Sequence, residues 1–345
     1  MTNETEYIIF EKYKTFTQQF TKYAGIPLYI GCFYGTVMNM IIFGQRTYRH
    51  RSGSLYLLIA SLCDFIYLNI GPISNILQYG FQHNWTINSI KFCKIKSYFV
   101  FVITAISATL TTLANINQYL LSSKENKRWK YTSYIITIRC TCFTIICWFI
   151  ISIPIIFCYT RYYHSSENEE LLCSNPLHGL FCFWIQILYT CLFNGFLHPF
   201  LMLFFGICTY KNIHNIQERS ILKSNRIRQV NYQMALMLVL QSIKSSVASI
   251  PYAIFNTYML ITINRNKTLL HQAKENIFSQ IVYFLFWSNY TSFFVYMYSS
   301  TIFKDQWKKL MKKIFCCLYG KRQRQLHYRT QLKQMTVVQS MVKPN

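Results

Sequence analysis

Apolar residues in this chain are gathered into long runs bounded by polar or charged clusters. Seven runs reach the ~20 residues that a helix needs to cross hydrocarbon. They lie near 24–45, 55–79, 92–121, 133–159, 179–210, 230–261 and 277–299, and the segments between them are too short to fold as domains. The pattern predicts an all-α membrane protein: a seven-transmembrane helix bundle over 24–300, preceded by an extracellular tail, 1–23. Beyond the last run, Phe303, Trp307, Leu310, Met311 and Ile314 recur at helical spacing while Lys304, Lys308, Lys309, Lys312 and Lys313 take the other faces. This predicts a short amphipathic eighth helix over 301–317, lying on anionic lipid. A basic tail, 318–345, follows it.

Composition sharpens that reading. The 345 residues contain 13% charged side chains, against about 25% in soluble proteins, and 52% hydrophobic ones. A net charge of +24 can mark nucleic-acid binding, but the basic residues are placed by topology. They sit in alternate loops: Arg46, Arg49 and Arg51; Lys124, Lys127, Arg128 and Lys130; Lys211, Arg219, Lys223, Arg226 and Arg228; and eleven more lie beyond residue 300, in the eighth helix and the tail together. Cytoplasmic loops are the ones enriched in Lys and Arg, so the amino terminus is expected outside, the carboxyl terminus inside, and membrane lipid rather than nucleic acid as the partner of this charge. The sequons headed by Asn3, Asn84 and Asn266 all fall on the side called extracellular, whereas a fourth, at Asn289, is buried in the last run and expected to be silent. The polar, early-acidic start lacks the basic region and apolar core of a cleavable signal, and the first run is expected to begin insertion.

Charges inside a membrane are costly and tend to face the bundle interior. Asp64 in the second run is either a carboxylate hydrogen-bonded between helices or an ion or proton site coupled to helix movement. Lys244 lies seven residues before Pro251, about two helical turns, so both fall near one face of the sixth run. Arg139 is close enough to the cytoplasmic end to snorkel. Most of the 13 cysteines are expected to be small buried hydrophobes. Cys93 opens the third run on the outer side and Cys173 lies in the longest outer loop, an oxidising setting in which a disulfide would tie that loop over the bundle. Cys316 and Cys317 end the amphipathic run, as a palmitoylation site or as two unmodified thiols. No CxxC spacing, nucleophile–base pair or metal-ligand set stands out, so no enzyme is expected.

Taken together, Asn39, the Ala60–Asp64 stretch, Cys93 with Cys173, Trp148, Pro199, Pro251 and Tyr296 resemble the landmark positions of rhodopsin-like G-protein-coupled receptors, one or more per run and in order. Phe303 follows Tyr296 at the family's spacing into its eighth helix. The resemblance covers roughly 25–317. It implies a plasma-membrane receptor that passes an extracellular signal to a heterotrimeric G protein, with Gln118 and Tyr119 among the inner contacts. Three switch elements depart from the family's pattern: Asn117-Gln118-Tyr119 replaces acidic–Arg–Tyr, Ser249 replaces a tryptophan, and Ser292 to Tyr296 lacks the Asn-Pro start of the last motif.

The same resemblance puts Val100, Thr104, Tyr252, Asn256, Val282 and Phe286 around an outer ligand cavity. Val100 stands where amine receptors carry an aspartate and Phe286 where opsins carry a lysine, which argues against amines and retinal. With Glu167, Glu169 and Glu170 at the mouth, a basic peptide is the expected ligand, although such acids are also found merely solvated. Asp64 and Ser107 match two ligands of the family's sodium pocket, and Ser292 replaces a third. No cofactor is expected beyond a sodium ion near Asp64, and an Asp64–Lys244 contact is expected to replace part of that site. The competing readings are a receptor that binds without coupling, as scavenger or dimer partner, and a channel or transporter using Asp64 and Lys244.

Overall fold

A single helical path opens the chain, in a computed structural model that describes residues 3–316 except 50, 84–88, 124–129, 164–170, 175–179, 220–225, 263–264 and 266. Helix α1 (Asn3–Phe20) passes through one π-helical turn, Thr21–Gly25, into α2 (Ile26–Phe43). Residues expected to form an extracellular tail are therefore helical from Asn3 onward. Phe10, Tyr13, Thr17 and Phe20, spaced by three and four, are the better buried side of α1. Phe20 stacks on Phe284 with ring centroids 5.4 Å apart. At 1.5 Å per residue the path is about 60 Å long, twice the hydrocarbon thickness, so about half of it projects beyond a bilayer.

The remaining helices follow in up-and-down order: α3 (Ser52–Asn75), α4 (Ile90–Leu121), α5 (Tyr134–Ile151), and α6 (Ile153–Cys158) entered through Pro154. An antiparallel hairpin comes next, β1 (Thr160–Tyr163) with β2 (Leu171–Ser174), registered from Thr160↔Ser174 to Tyr163↔Leu171. Helix α7 (Leu180–Ile187) continues through a ten-residue π-helical stretch, Leu188–Leu197, into α8 (His198–Arg219). Helix α9 (Arg226–Thr262) contains Pro251. The last segment is α10 (Leu269–Trp287), a 3-10 turn at Ser288–Thr291, and α11 (Ser292–Ser299). Helix α4 is the central element, packed against α3, α5, α6, α8 and α9.

Among the described residues, six helical paths are long and apolar enough to cross a membrane: Glu6–Phe43, Ser52–Gly80, Ile90–Leu121, Tyr134–Cys158, Leu180–Ile213 and Tyr232–Thr262. The segment from Leu269 is not among them; it carries Lys274 and Glu275 and is interrupted by the 3-10 turn. Burial along α9 explains what solvent the fold suits. Ile243, Val247, Ile250, Ile254 and Ile261 face outward, whereas Gln241, Ser242, Ser245, Ser246 and Ser249 are buried. Apolar outside and polar inside is the arrangement for lipid, where a polar group must find its partner within the protein. The molecule is a helical multi-pass membrane protein.

Residues 301–316 form a helix belonging to a second compact unit, which starts at Thr301. Its five lysines, 304, 308, 309, 312 and 313, are exposed, and Phe303 is buried.

Candidate functional site

Asp64 lies on α3, and its carboxylate accepts a hydrogen bond from the Ser107 hydroxyl of α4. Both residues open onto a cavity of about 60 Å³ formed where α3, α4, α8, α9 and the last segment meet. Since roughly 10–15 Å³ of such space accommodates one water, this one holds several polar ligand atoms or waters. Its wall carries polar groups from several elements: Thr104 and Thr111 from α4, Gln241, Ser245 and Ser249 from α9, and Asn289 from the 3-10 turn. Gln241, Ser245 and Ser249 recur every four residues, which puts them on one face of α9.

The π-helical stretch supplies the next wall. Wider turns of this kind re-aim side chains and are frequent at functional sites; here Asn194 and His198 are directed into the cavity. Close approach to α9 is possible because residue 195 is glycine, at a point where a Cβ would overlap the Ala253 methyl. Three buried atoms on the cavity residues have no hydrogen-bond partner: His198 Nε2, Gln241 Oε1 and Asn289 Oδ1. Buried polar atoms in proteins are nearly always paired, so these three are the groups available to a ligand. The oxygen set, with one carboxylate, fits a monovalent hard cation, and among the described residues no cluster of three or more His, Cys, Asp or Glu is arranged to hold a metal ion.

Four of the residues expected at a ligand or ion site line this cavity: Asp64, Thr104, Ser107 and Phe286. The others are elsewhere. Tyr252 stacks on Phe286 at 4.2 Å, and together with Val100 it packs against the aromatic core that holds Tyr67, Trp287 and Tyr290. Val282 is buried and Asn256 donates to the Tyr252 carbonyl at 2.8 Å. The set expected to line an outer cavity is thus divided: Thr104 and Phe286 line the polar-edged cavity, whereas Val100 and Tyr252 pack against the aromatic core. Ser292 also lies off the cavity, accepting from Asn39 Nδ2 at 2.9 Å. The expected Asp64–Lys244 contact is absent: Lys244 Nζ donates instead to the Asn289 carbonyl and the Thr291 hydroxyl, each at 3.3 Å.

At the other end of α4, Gln118 is only 3% exposed and points its amide at Met234 Sδ, 3.9 Å away. Tyr119, the other residue expected at the inner contact, is half-buried against Phe205. Tyr296 is buried beside Phe43, at 5.8 Å between rings. Arg139 is exposed on the outer surface of α5. Cys93 is disulfide-bonded, but the side chain of Cys173 lies outside the described residues, as do Cys317, Asn84, Asn266, the side chain of Asn3, and Glu167, Glu169 and Glu170. Cys316 is exposed and free.

Two features escaped the sequence. Cys158 and Cys182, taken as small hydrophobes, are joined in a disulfide. The available signal was their position, one at the end of the fourth run and one at the start of the fifth, on the same side. The second is an ion-pair group at that same end: both carboxylate oxygens of Glu275 lie 2.8 Å from Lys267 Nζ. Tyr258 donates its hydroxyl to the carboxylate at 2.8 Å, and His271 Nε2 lies 3.1 Å away. Burial raises the Glu275 carboxyl, but the hydrogen bonds from Lys267 and Tyr258 and the nearby charges outweigh it and hold the group below the ordinary glutamate range. Set against known protein families and characterised proteins, the chain matches none.

Proposed function

We propose that the chain is a seven-helix receptor of the rhodopsin-like G-protein-coupled class, with the segment over 277–299 as its seventh span and 301–317 as its eighth helix. The observation that carries the reading is the Asp64–Ser107 pair on the wall of a multi-helix cavity. Its support comes from the neighbours of the landmark residues: Asn39 hydrogen-bonds Ser292, and Trp148 Nε1 donates to Thr109 Oγ1 at 2.8 Å. A ligand at the hairpin end favours one packing of α9 and the last segment, and the cavity between them changes shape with that packing. The expected ligand is a peptide of basic character. A sodium ion would be held by Asp64, Ser107 and the unpaired amide oxygens of Gln241 and Asn289.

The reading places the protein in the plasma membrane with its amino terminus outside. The Cys158–Cys182 disulfide lies at the end assigned to the oxidising exterior, where such bonds form and persist. Asn3, Asn84 and Asn266 are on that side as glycosylation sites. The exposed lysines of the 301–316 helix and the free Cys316 suit an anionic inner leaflet and a palmitoyl anchor.

A second reading is favoured by one observation: the position where such receptors carry a coupling arginine is an uncharged, buried Gln118. A receptor that binds without coupling, as scavenger or dimer partner, would need no more. Basal and peptide-stimulated nucleotide exchange in membranes, with and without Gln118→Arg, separates the two. Exchange by the parent protein supports coupling; exchange only after Gln118→Arg supports the silent receptor; exchange by neither sinks the receptor-coupling reading.

A further inference from the structure

Lys244 is a cation placed among neutral oxygens. Its two hydrogen bonds, to Asn289 O and Thr291 Oγ1, are at the long end of the normal range, and among the described residues the ion pairs are Lys267 with Glu275 and His271 with Glu275. The acceptors belong to the 3-10 turn that interrupts the last helical segment. Gln241, one turn earlier on α9, sends Nε2 to the same Asn289 carbonyl at 3.4 Å. Asn289 in turn donates its side-chain amide to Ser249 Oγ at 3.3 Å. One residue of the broken turn is therefore gripped by three side chains spread over two turns of α9, all by weak bonds.

A stronger acceptor lines the same cavity as the present seat. Asp64 and Asn289, the residue whose carbonyl holds Lys244, both open onto it, yet the carboxylate is held by Ser107 and the ammonium by the turn. Gln241 Oε1 and Asn289 Oδ1, unpaired, lie along the cavity wall beside Asp64. An ammonium has three donors, so exchanging two long neutral bonds for a carboxylate costs little in hydrogen bonding and is favoured by charge. Two alternative partner sets for one side chain are what a bistable element requires.

We propose that Lys244, assisted by Gln241, is a movable latch between α9 and the last helical segment, seated on Asn289 and Thr291 in the present arrangement and transferred to Asp64 when α9 shifts. The latch rests on the receptor reading only in that it regulates the same bundle, and it can be tested without signalling.

The test is a distance measurement in the full-length protein in detergent. Spin labels carried on unnatural amino acids replace Tyr232 on α9 and Tyr298 on α11, both exposed. Lys244→Met is expected to add a second population, displaced by roughly 5 Å, about one helical turn. Asp64→Asn removes the alternative seat and is expected to narrow the distribution. Equal distributions in parent and Lys244→Met overturn the latch, and so does broadening by both variants, which marks a merely structural lysine. Should Lys244→Met not yield monodisperse protein, Gln241→Leu weakens the same grip and is expected to give the second population at lower occupancy; an unchanged distribution there overturns the proposal. Opposite shifts without nucleotide exchange would leave the latch standing and count against coupling alone.

Discussion

At the scale of single residues, Gly195 has the sharpest steric demand. Its Cα faces Ala253 so closely that a methyl group on either side excludes one on the other. Gly195→Val is expected to cost about 1–3 kcal/mol, the usual penalty of overpacking, read as a lower thermal midpoint of the purified protein. Gly195→Ala combined with Ala253→Gly should recover most of the loss, since the pair exchanges which helix carries the methyl. Asp64 and Lys244 were legible as charges within apolar runs, because hydrocarbon makes such residues conspicuous. Their partners were not legible: a lysine side chain can choose between a carboxylate and a carbonyl, and the choice depends on where the 3-10 turn brings Asn289. A smaller prediction follows for Trp148. Thr109→Val removes its indole acceptor and is expected to destabilise by about 0.6–1.7 kcal/mol, the range for interhelical hydrogen bonds in membranes, as measured by unfolding in mixed micelles.

Among the elements, the fourth and fifth runs carry more structure than their hydropathy implies. Cys158 and Cys182, with Cα atoms 5.4 Å apart, close a loop of 24 residues in sequence separation that contains the β1–β2 hairpin. Replacing both by serine is expected to cost about 2–4 kcal/mol. A reductant should then lower the thermal midpoint of the parent protein by more than that of the double variant; equal losses would mean the bond contributes nothing. The π-helical stretch, Leu188–Leu197, was invisible because hydrophobic pattern distinguishes spanning from non-spanning segments but not i→i+5 from i→i+4 bonding. Yet Asn194 of this stretch and His198 immediately after it line the cavity. Helix α1 was hidden for another reason. Its polar residues made it look like a tail, whereas packing on α10 stabilises a helix that isolated propensity would leave marginal.

The whole molecule adds a dependence on pH at the hairpin end. Glu275 is held below the ordinary glutamate value of about 4.3. A carboxyl lowered by folding contributes stability that is fully present above its unfolded value and is lost as pH falls through the folded one. The unfolding midpoint of the parent protein should therefore exceed that of Lys267→Met near neutral pH, and the margin should shrink below about pH 4.3. A margin that persisted at lower pH would show that the Lys267–Glu275 pair is not its source.

Read along the chain, composition and run length establish that the protein crosses a membrane repeatedly, and the Lys and Arg asymmetry supplies an orientation to test. These are one-dimensional properties: hydrocarbon thickness sets the length of a run and leaflet charge biases each loop, whatever the helices later touch. The polar stripe of α9 is legible in the same way, as Gln241, Ser245 and Ser249 opposite Ile243, Val247 and Ile250. What depends on three dimensions is which polar groups meet. The cavity exists because a π-helical stretch, a central helix and a broken last segment converge on Asp64. Tyr252 and Phe286, 34 residues apart in the chain, stack on one another. Both outcomes are set by backbone irregularities and by long-range contacts between residues far apart in the chain, and no local pattern records either one.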